Sequence, residues 1–176
     1  NVKWMFSTFH LGHYQPLSWL TLTLEQAWTG AASTHHWGNL LLHIAAAVTV
    51  FALSRRLILL ARPDLKHRAA LVTGAAFCGA LLFALHPLRV ESVAWITERR
   101  DVQSSFLLLL AVWIYLRMAE TKDPTGYALR LIAAVCVFLL SLLSRAMGVT
   151  LPLILLLLDF YPLRRFCAGN RNVWLE

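Results

Sequence analysis

The stretch AALVTGAAFCGALLFALHPLRVESVAWITERRDVQSSFLLLLAVWIYL, residues 69–116, sets two long apolar runs on either side of a charged island. The island, residues 86–101, holds His86, Arg89, Glu91, Glu98, Arg99, Arg100 and Asp101. Each flank is apolar over a length that suits a bilayer. Seventeen residues, 69–85, make about 26 Å of helix at ~1.5 Å per residue, close to a hydrocarbon core of ~30 Å. Six formal charges lie between Arg89 and Asp101. At ~3 kcal/mol each on an insertion scale they would cost about 18 kcal/mol at mid-bilayer. That exceeds the ~5 to 15 kcal/mol of a typical fold, so the island must meet water, headgroups or its own counter-charges.

The rest of the chain follows the same grammar. Of its 176 residues, 59% are hydrophobic and only 14% charged, a bias toward a membrane protein. Apolar runs cover 37–53, 69–85, 102–116, 127–143 and 146–163, which predicts an all-α, polytopic bundle of about five spanning helices within one transmembrane domain. The net charge of +7 falls in short clusters between these runs, not on a solvated stripe, which excludes nucleic acid as the partner. Cys78 and Cys136 lie inside apolar runs and Cys167 stands apart, with no CxxC spacing, so they read as small core residues. The opening NVKWMFSTFH resembles no signal peptide, and the chain is expected to be a piece of a longer protein.

Basic residues orient the bundle. With alternate connections on the same side, eleven of sixteen Lys and Arg gather at one face: Arg55, Arg56, Arg62, Lys66, Arg68, Arg117, Lys122, Arg130, Arg164, Arg165 and Arg171. The positive-inside rule makes that face cytoplasmic. Residues 1–36, 86–101 and the turn SRAMG at 144–148 then share the outer face. Trp4, Phe6, Phe9, Tyr14, Trp19 and Trp28 enrich residues 1–36, and Leu17 to Trp28 are expected to form a helix lying in the outer interface.

Within the island, Pro87 suits a first helical turn, and a helix along the boundary would align Glu91, Trp95, Glu98 and Val102 on one face. A wet outer loop would explain the charges alone. Carboxylates and guanidiniums interleaved with the apolar row VAWI describe a pocket instead: arginines offer paired donors for phosphate, and a carboxylate can orient a hydroxyl or take its proton. Arg145 in the outer turn is either a headgroup anchor or a third cation for the same anion. His35, His36, Asn39 and His43 surround the start of the first span. Without a third ligand at a metal-site spacing, interfacial hydrogen bonding is favoured over a metal. His10, His13 and Tyr14 lie in the same aqueous boundary and can line a cleft. Asp159 is expected to pair structurally with Arg164.

The segments GHYQPLSWLTLTLEQAWTG, HHWGNLLLHIAAAV, HPLRVESVAWITERRDV and SRAMGVTLPLILLLLDFYPLRR, in this order, resemble the membrane portion of the transmembrane and tetratricopeptide-repeat O-mannosyltransferases and their bacterial relatives. The most specific element is HPxxxExVAWxxxRxD, with His86, Glu91, Arg99 and Asp101 at its positions, and the likeness runs over roughly residues 12–165. The resemblance implies a partial glycosyltransferase-C-like fold of the multi-spanning, lipid-donor type. It further implies transfer of a sugar, typically mannose, from a polyprenyl phosphate to a protein hydroxyl on the non-cytoplasmic face, here the periplasmic side of a bacterial inner membrane. On that basis Arg99, Arg100 and Arg145 are expected to bind the donor phosphate. Glu91 and Asp101 are the catalytic carboxylates, orienting the arginines or contacting the sugar, and His86, His13, Tyr14 and His43 support the pocket. The expected partners are the bilayer, the lipid-linked sugar and a protein acceptor; no resident cofactor or metal follows from the residues. SRAMG departs from the Lys and Pro more usual in the bacterial relatives, and the family's upstream acidic motif lies outside this chain. A transporter would need charge at mid-membrane, which these spans avoid; a catalytically silent scaffold is the surviving alternative.

Overall fold

The computed structural model describes residues 2–8, 14–163 and 165, and no strand occurs among them. The described residues form eight α-helices in order: α1 Val2–Ser7, α2 Pro16–Trp28, α3 Ala32–Ala61, α4 Ala69–Leu85, α5 Leu88–Ala94, α6 Arg99–Ala119, α7 Pro124–Ser144 and α8 Leu151–Phe160. Short 3-10 turns cover Pro63–His67, Ile96–Glu98 and Ala146–Thr150. α3 packs on α4 and α6, and α6 on α7. Leu53, Ala111, Val112, Leu116 and Leu151 form the buried centre of this packing.

The outward faces are apolar: Leu41, Ile44 and Val48 on α3, Leu71 and Leu82 on α4, and Leu129, Ile132 and Leu139 on α7 are all exposed. That distribution suits lipid as the surrounding medium, where contact between helices has no hydrophobic driving force and close approach depends on small or polar residues. α6 and α7 meet through such residues. Ser141, fully buried, donates to the Ser104 carbonyl at 3.0 Å, and the two hydroxyls lie 3.0 Å apart. The molecule is a multi-pass membrane helical bundle.

Among the described residues three helices are long and apolar enough to span, Ala32–Ala61, Ile96–Ala119 with its leading turn, and Pro124–Ser144; α4 with α5 makes a fourth if that bent pair counts as one span. The expected fifth span, 146–163, holds an apolar helix shorter than the other spans. Its first residues wind into the 3-10 turn Ala146–Thr150, leaving α8 with 10 residues, about 15 Å at ~1.5 Å per residue, half a bilayer core.

The island is also not one helix. α4 and α5 diverge by 63° because Pro87 disfavours helical geometry in the residue before it, and His86 is extended at φ −63°, ψ 128°. A second break falls at Trp95, extended at φ −85°, ψ 124°. Asn39 on α3 holds this break, its Nδ2 donating to the carbonyls of Val93 at 3.2 Å and Trp95 at 3.0 Å. The expected single face of Glu91, Trp95, Glu98 and Val102 is therefore interrupted. Cys78 and Cys136 correct another expectation: both are exposed on the lipid-facing sides of α4 and α7, not in the core, and Cys167 lies outside the described residues.

The α2 segment, the α4–α6 connection and the α7–α8 turn meet at one end of the bundle. Ser18 of α2 bonds to the Ser144 carbonyl at 3.4 Å, and Thr21 to Gln103 at 3.1 Å. Trp19 stacks on Trp4 with centroids 5.3 Å apart. The opposite end carries Arg56 paired with Glu120, Arg62 with Asp64, and the α3–α4 and α6–α7 connections.

Candidate functional site

Two charged clusters occupy the end capped by α2, and their roles differ. The first centres on Arg99, the opening residue of α6, which is 2% exposed. Its Nη1 and Nη2 grip the two oxygens of Glu25 at 2.7 and 2.8 Å, Nη2 also donates to the His35 carbonyl at 2.9 Å, and Nε donates to Asn39 Oδ1. A guanidinium has five N–H donors, and this one spends four inside the protein. His35 Nδ1 lies 2.9 Å from the second oxygen of Glu25, and its Nε2 3.2 Å from Gln26 Oε1. Gly38 makes the space: a Cβ there would collide with Glu25 Oε1 and Arg99 Nη2. Burial pushes the Glu25 carboxyl up, but the hydrogen bonds and charges of Arg99 and His35 outweigh it and hold the group below its ordinary value.

Arg99 was expected at a phosphate, and the structure turns it inward, where it ties α2 to α3 and α6. Sequence reasoning passed over Glu25, although a signal existed. It is the sole acidic residue among the first 63, and a carboxylate alone in an apolar, aromatic segment demands a buried cation.

The second cluster lies one helical step away. Arg145, extended in the α7–α8 turn, pairs closely with Asp101 and reaches Glu98 at 3.7 Å. Arg100 Nη2 donates to the other Glu98 oxygen at 2.8 Å, while its buried Nε–H finds no hydrogen-bond partner among the described residues. Beside these groups opens a cavity of about 210 Å³ lined by Arg89, Asp101, Ser104, Ser105, Leu108, Arg145 and Gly148. Arg89 sits with its guanidinium carbon 4.5 Å over the Phe83 ring, a cation–π contact that holds it at the cavity wall.

Of the expected site residues, Asp101 and Arg145 come together on the cavity, and Arg100 joins them through Glu98. Glu91 is exposed on α5 and His86 is exposed beside it, its Nδ1 accepting from the Leu88 N–H at 3.2 Å; neither lines the cavity. The Tyr14 hydroxyl donates to the Phe6 carbonyl at 3.3 Å, away from both clusters. His10 and His13 lie outside the described residues. His43 is buried, donates from Nε2 to the Ala84 carbonyl at 3.1 Å and stacks on Phe83 at 5.7 Å. It lines a separate groove of about 380 Å³ between α3 and α4, whose other walls include Ile44, Val48, Phe51, Phe77 and Leu81. Phe83 therefore stands between the apolar groove, through His43, and the polar cavity, through Arg89. Asp159 pairs with Arg165 at 3.6 Å and accepts from Tyr115 at 2.7 Å; the expected pairing with Arg164 falls on a residue outside the described ones. Among the described residues no three His, Cys, Asp or Glu side chains converge as metal ligands.

A lipid-embedded helical bundle with an arginine-and-carboxylate cavity at one end defines the class: a multi-pass membrane protein with its polar site at the end of the spans. No family model matches the chain, and no solved structure matches it. It is 30% identical over 161 residues to protein O-mannosyl-transferase TMTC1 of Homo sapiens, covering 85% of this chain and 17% of that protein. It is 35% identical over 118 residues to protein O-mannosyl-transferase TMTC2 of Homo sapiens, covering 66% and 12%, and 30% identical over 166 residues to TMTC1 of Mus musculus, covering 88% and 16%. The chain is similar to these TMTC proteins over most of its own length, and it spans less than a fifth of theirs.

Proposed function

We propose that this chain is the donor-binding membrane portion of a glycosyltransferase that moves a sugar, mannose by family, from a polyprenyl phosphate to a protein hydroxyl. The observation that carries the reading is the cavity at Arg89, Asp101 and Arg145, placed at the end of the spans where a lipid phosphate would sit. The relatives are named protein O-mannosyl-transferases, which supports the reaction class. The excess of Lys and Arg at the opposite end supports a non-cytoplasmic site, the periplasmic side in a bacterial inner membrane.

The acceptor oxygen attacks the anomeric carbon, the bond from that carbon to the phosphate oxygen breaks, and the electron pair stays on the phosphate. Charge thus grows on the leaving group. Guanidiniums aimed at it stabilise that charge where water is scarce, and they need no rearrangement if already held. Asp101 and Glu98 hold Arg145, and Phe83 holds Arg89. The acceptor's proton leaves to a base on the solvent side of the cavity; Glu91, exposed at the same boundary but outside the lining, is the carboxylate of this chain available there once the acceptor is bound. Arg99 acts by position: with Glu25 it clamps α2 across the end of the bundle. The apolar groove at His43 suits the isoprenoid tail, with Phe83 marking the passage from tail to phosphate.

The test is turnover of a short-chain prenyl phosphomannose by the full-length protein in vesicles. Arg145→Gln is expected to lower kcat/KM by on the order of a hundredfold, in the range of a lost charge-stabilising donor. Unchanged turnover would remove the cavity from the reaction and favour a silent scaffold.

A further inference from the structure

Resting on that reading, we propose that Asp101 determines which lipid-linked donor the cavity accepts, by holding its net charge at one positive so that a monophosphate diester fits and a diphosphate diester is rejected. The charged side chains of the lining are Arg89, Arg145 and Asp101; Ser104 and Ser105 are neutral. The neighbouring charges cancel in pairs. Glu98 is matched by Arg100, and the buried Arg99 by Glu25. Glu91 is exposed and outside the lining, where solvent screens it.

A sugar linked through one phosphate to a polyprenol carries one negative charge at neutral pH, equal and opposite to the cavity's. A sugar linked through a diphosphate carries two. Its second phosphate would have to share a space of about 210 Å³ with the Asp101 carboxylate, which already occupies Arg145. Like charges a few ångströms apart at the margin of a low-dielectric region repel by far more than thermal energy. Asp101 therefore both orients Arg145 for the first phosphate and excludes a second. A carboxylate serving only as a structural tether would leave donor choice untouched.

The experiment uses the full-length protein in vesicles, with a short-chain prenyl phosphomannose and the matching prenyl diphosphomannose competing for the site. The wild type is expected to favour the monophosphate by at least about tenfold, and Asp101→Asn to shrink that preference by at least about tenfold. Asp101→Glu keeps the charge and is expected to retain it. Ser105→Lys adds a cation to the lining without touching the Asp101–Arg145 pair, and is expected to shift the preference the same way as Asp101→Asn. It also decides the matter should Asp101→Asn fail to fold. A preference unchanged in Asp101→Asn, or in Ser105→Lys, overturns the inference while leaving donor binding intact. If neither lipid binds the wild type, the proposed function itself fails.

Discussion

Replacing Glu25 by Ala removes the partner of a guanidinium that is 2% exposed. The two hydrogen bonds of 2.7 and 2.8 Å to the carboxylate disappear, and only Asn39 and the His35 carbonyl remain to hold Arg99. Breaking a buried ion pair from one side costs about 3–5 kcal/mol, because the abandoned charge stays desolvated. Against the ~5 to 15 kcal/mol of a typical fold this is a large loss. Glu25→Leu and Arg99→Met complete a cycle with their double variant, in which no charge is left buried. The assay is the fraction of full-length protein that stays monodisperse in detergent after heating through a temperature series. Each single variant is expected to melt well below the wild type, and the double variant above the weaker single one. Additive losses in the double variant would show that the pair is not energetically coupled, and would refute the role of α2 as a clamp held by Arg99.

The same cluster predicts an acid limit. The Glu25 carboxyl is held below its ordinary 4.5, so its contribution is complete above that value and is lost as pH falls through the lower folded-state value, where the unfolded chain binds more protons. Thermal stability of the wild type is expected to fall in that window while Glu25→Gln stays flat, and parallel pH curves would contradict this. At the α6–α7 seam, Ser141→Leu forces extra volume into a site that is fully buried, at an expected cost of about 1–3 kcal/mol in the same heating assay. Unaltered stability would mean that the small hydroxyl does not set the helix spacing.

Much of the architecture was legible because a bilayer imposes a one-dimensional rule: residues 69–85 are apolar for the length a membrane requires, and α4 forms over those residues. The break at Pro87 was legible in kind, since a residue before proline avoids the helical region. Its counterpart at Trp95 was not, because it depends on Asn39 reaching across from another helix to donate to two stranded carbonyls. The shortness of α8 is not legible in the sequence for a related reason. Apolar composition over 146–163 is compatible with a span, and only the packing of the turn beside Ser141 and Leu108 winds its first residues tightly.

The candidate site divides along the same line. That charge must gather at residues 86–101, and that it must find water or counter-charge, follows from desolvation cost alone, a property of residue type and position in the chain. Which charges meet does not. Arg99 and Arg100 are neighbours in sequence with the same chemistry, yet a helix turns successive residues by about 100°. One therefore enters the bundle to meet Glu25, 74 residues away, and the other joins Glu98 beside the cavity. Composition determined that this is a membrane bundle with a charged end. The direction each side chain takes from its helix, decided only when α2, α3, α6 and α7 pack together, separates the arginine that holds the structure from those that face the cavity.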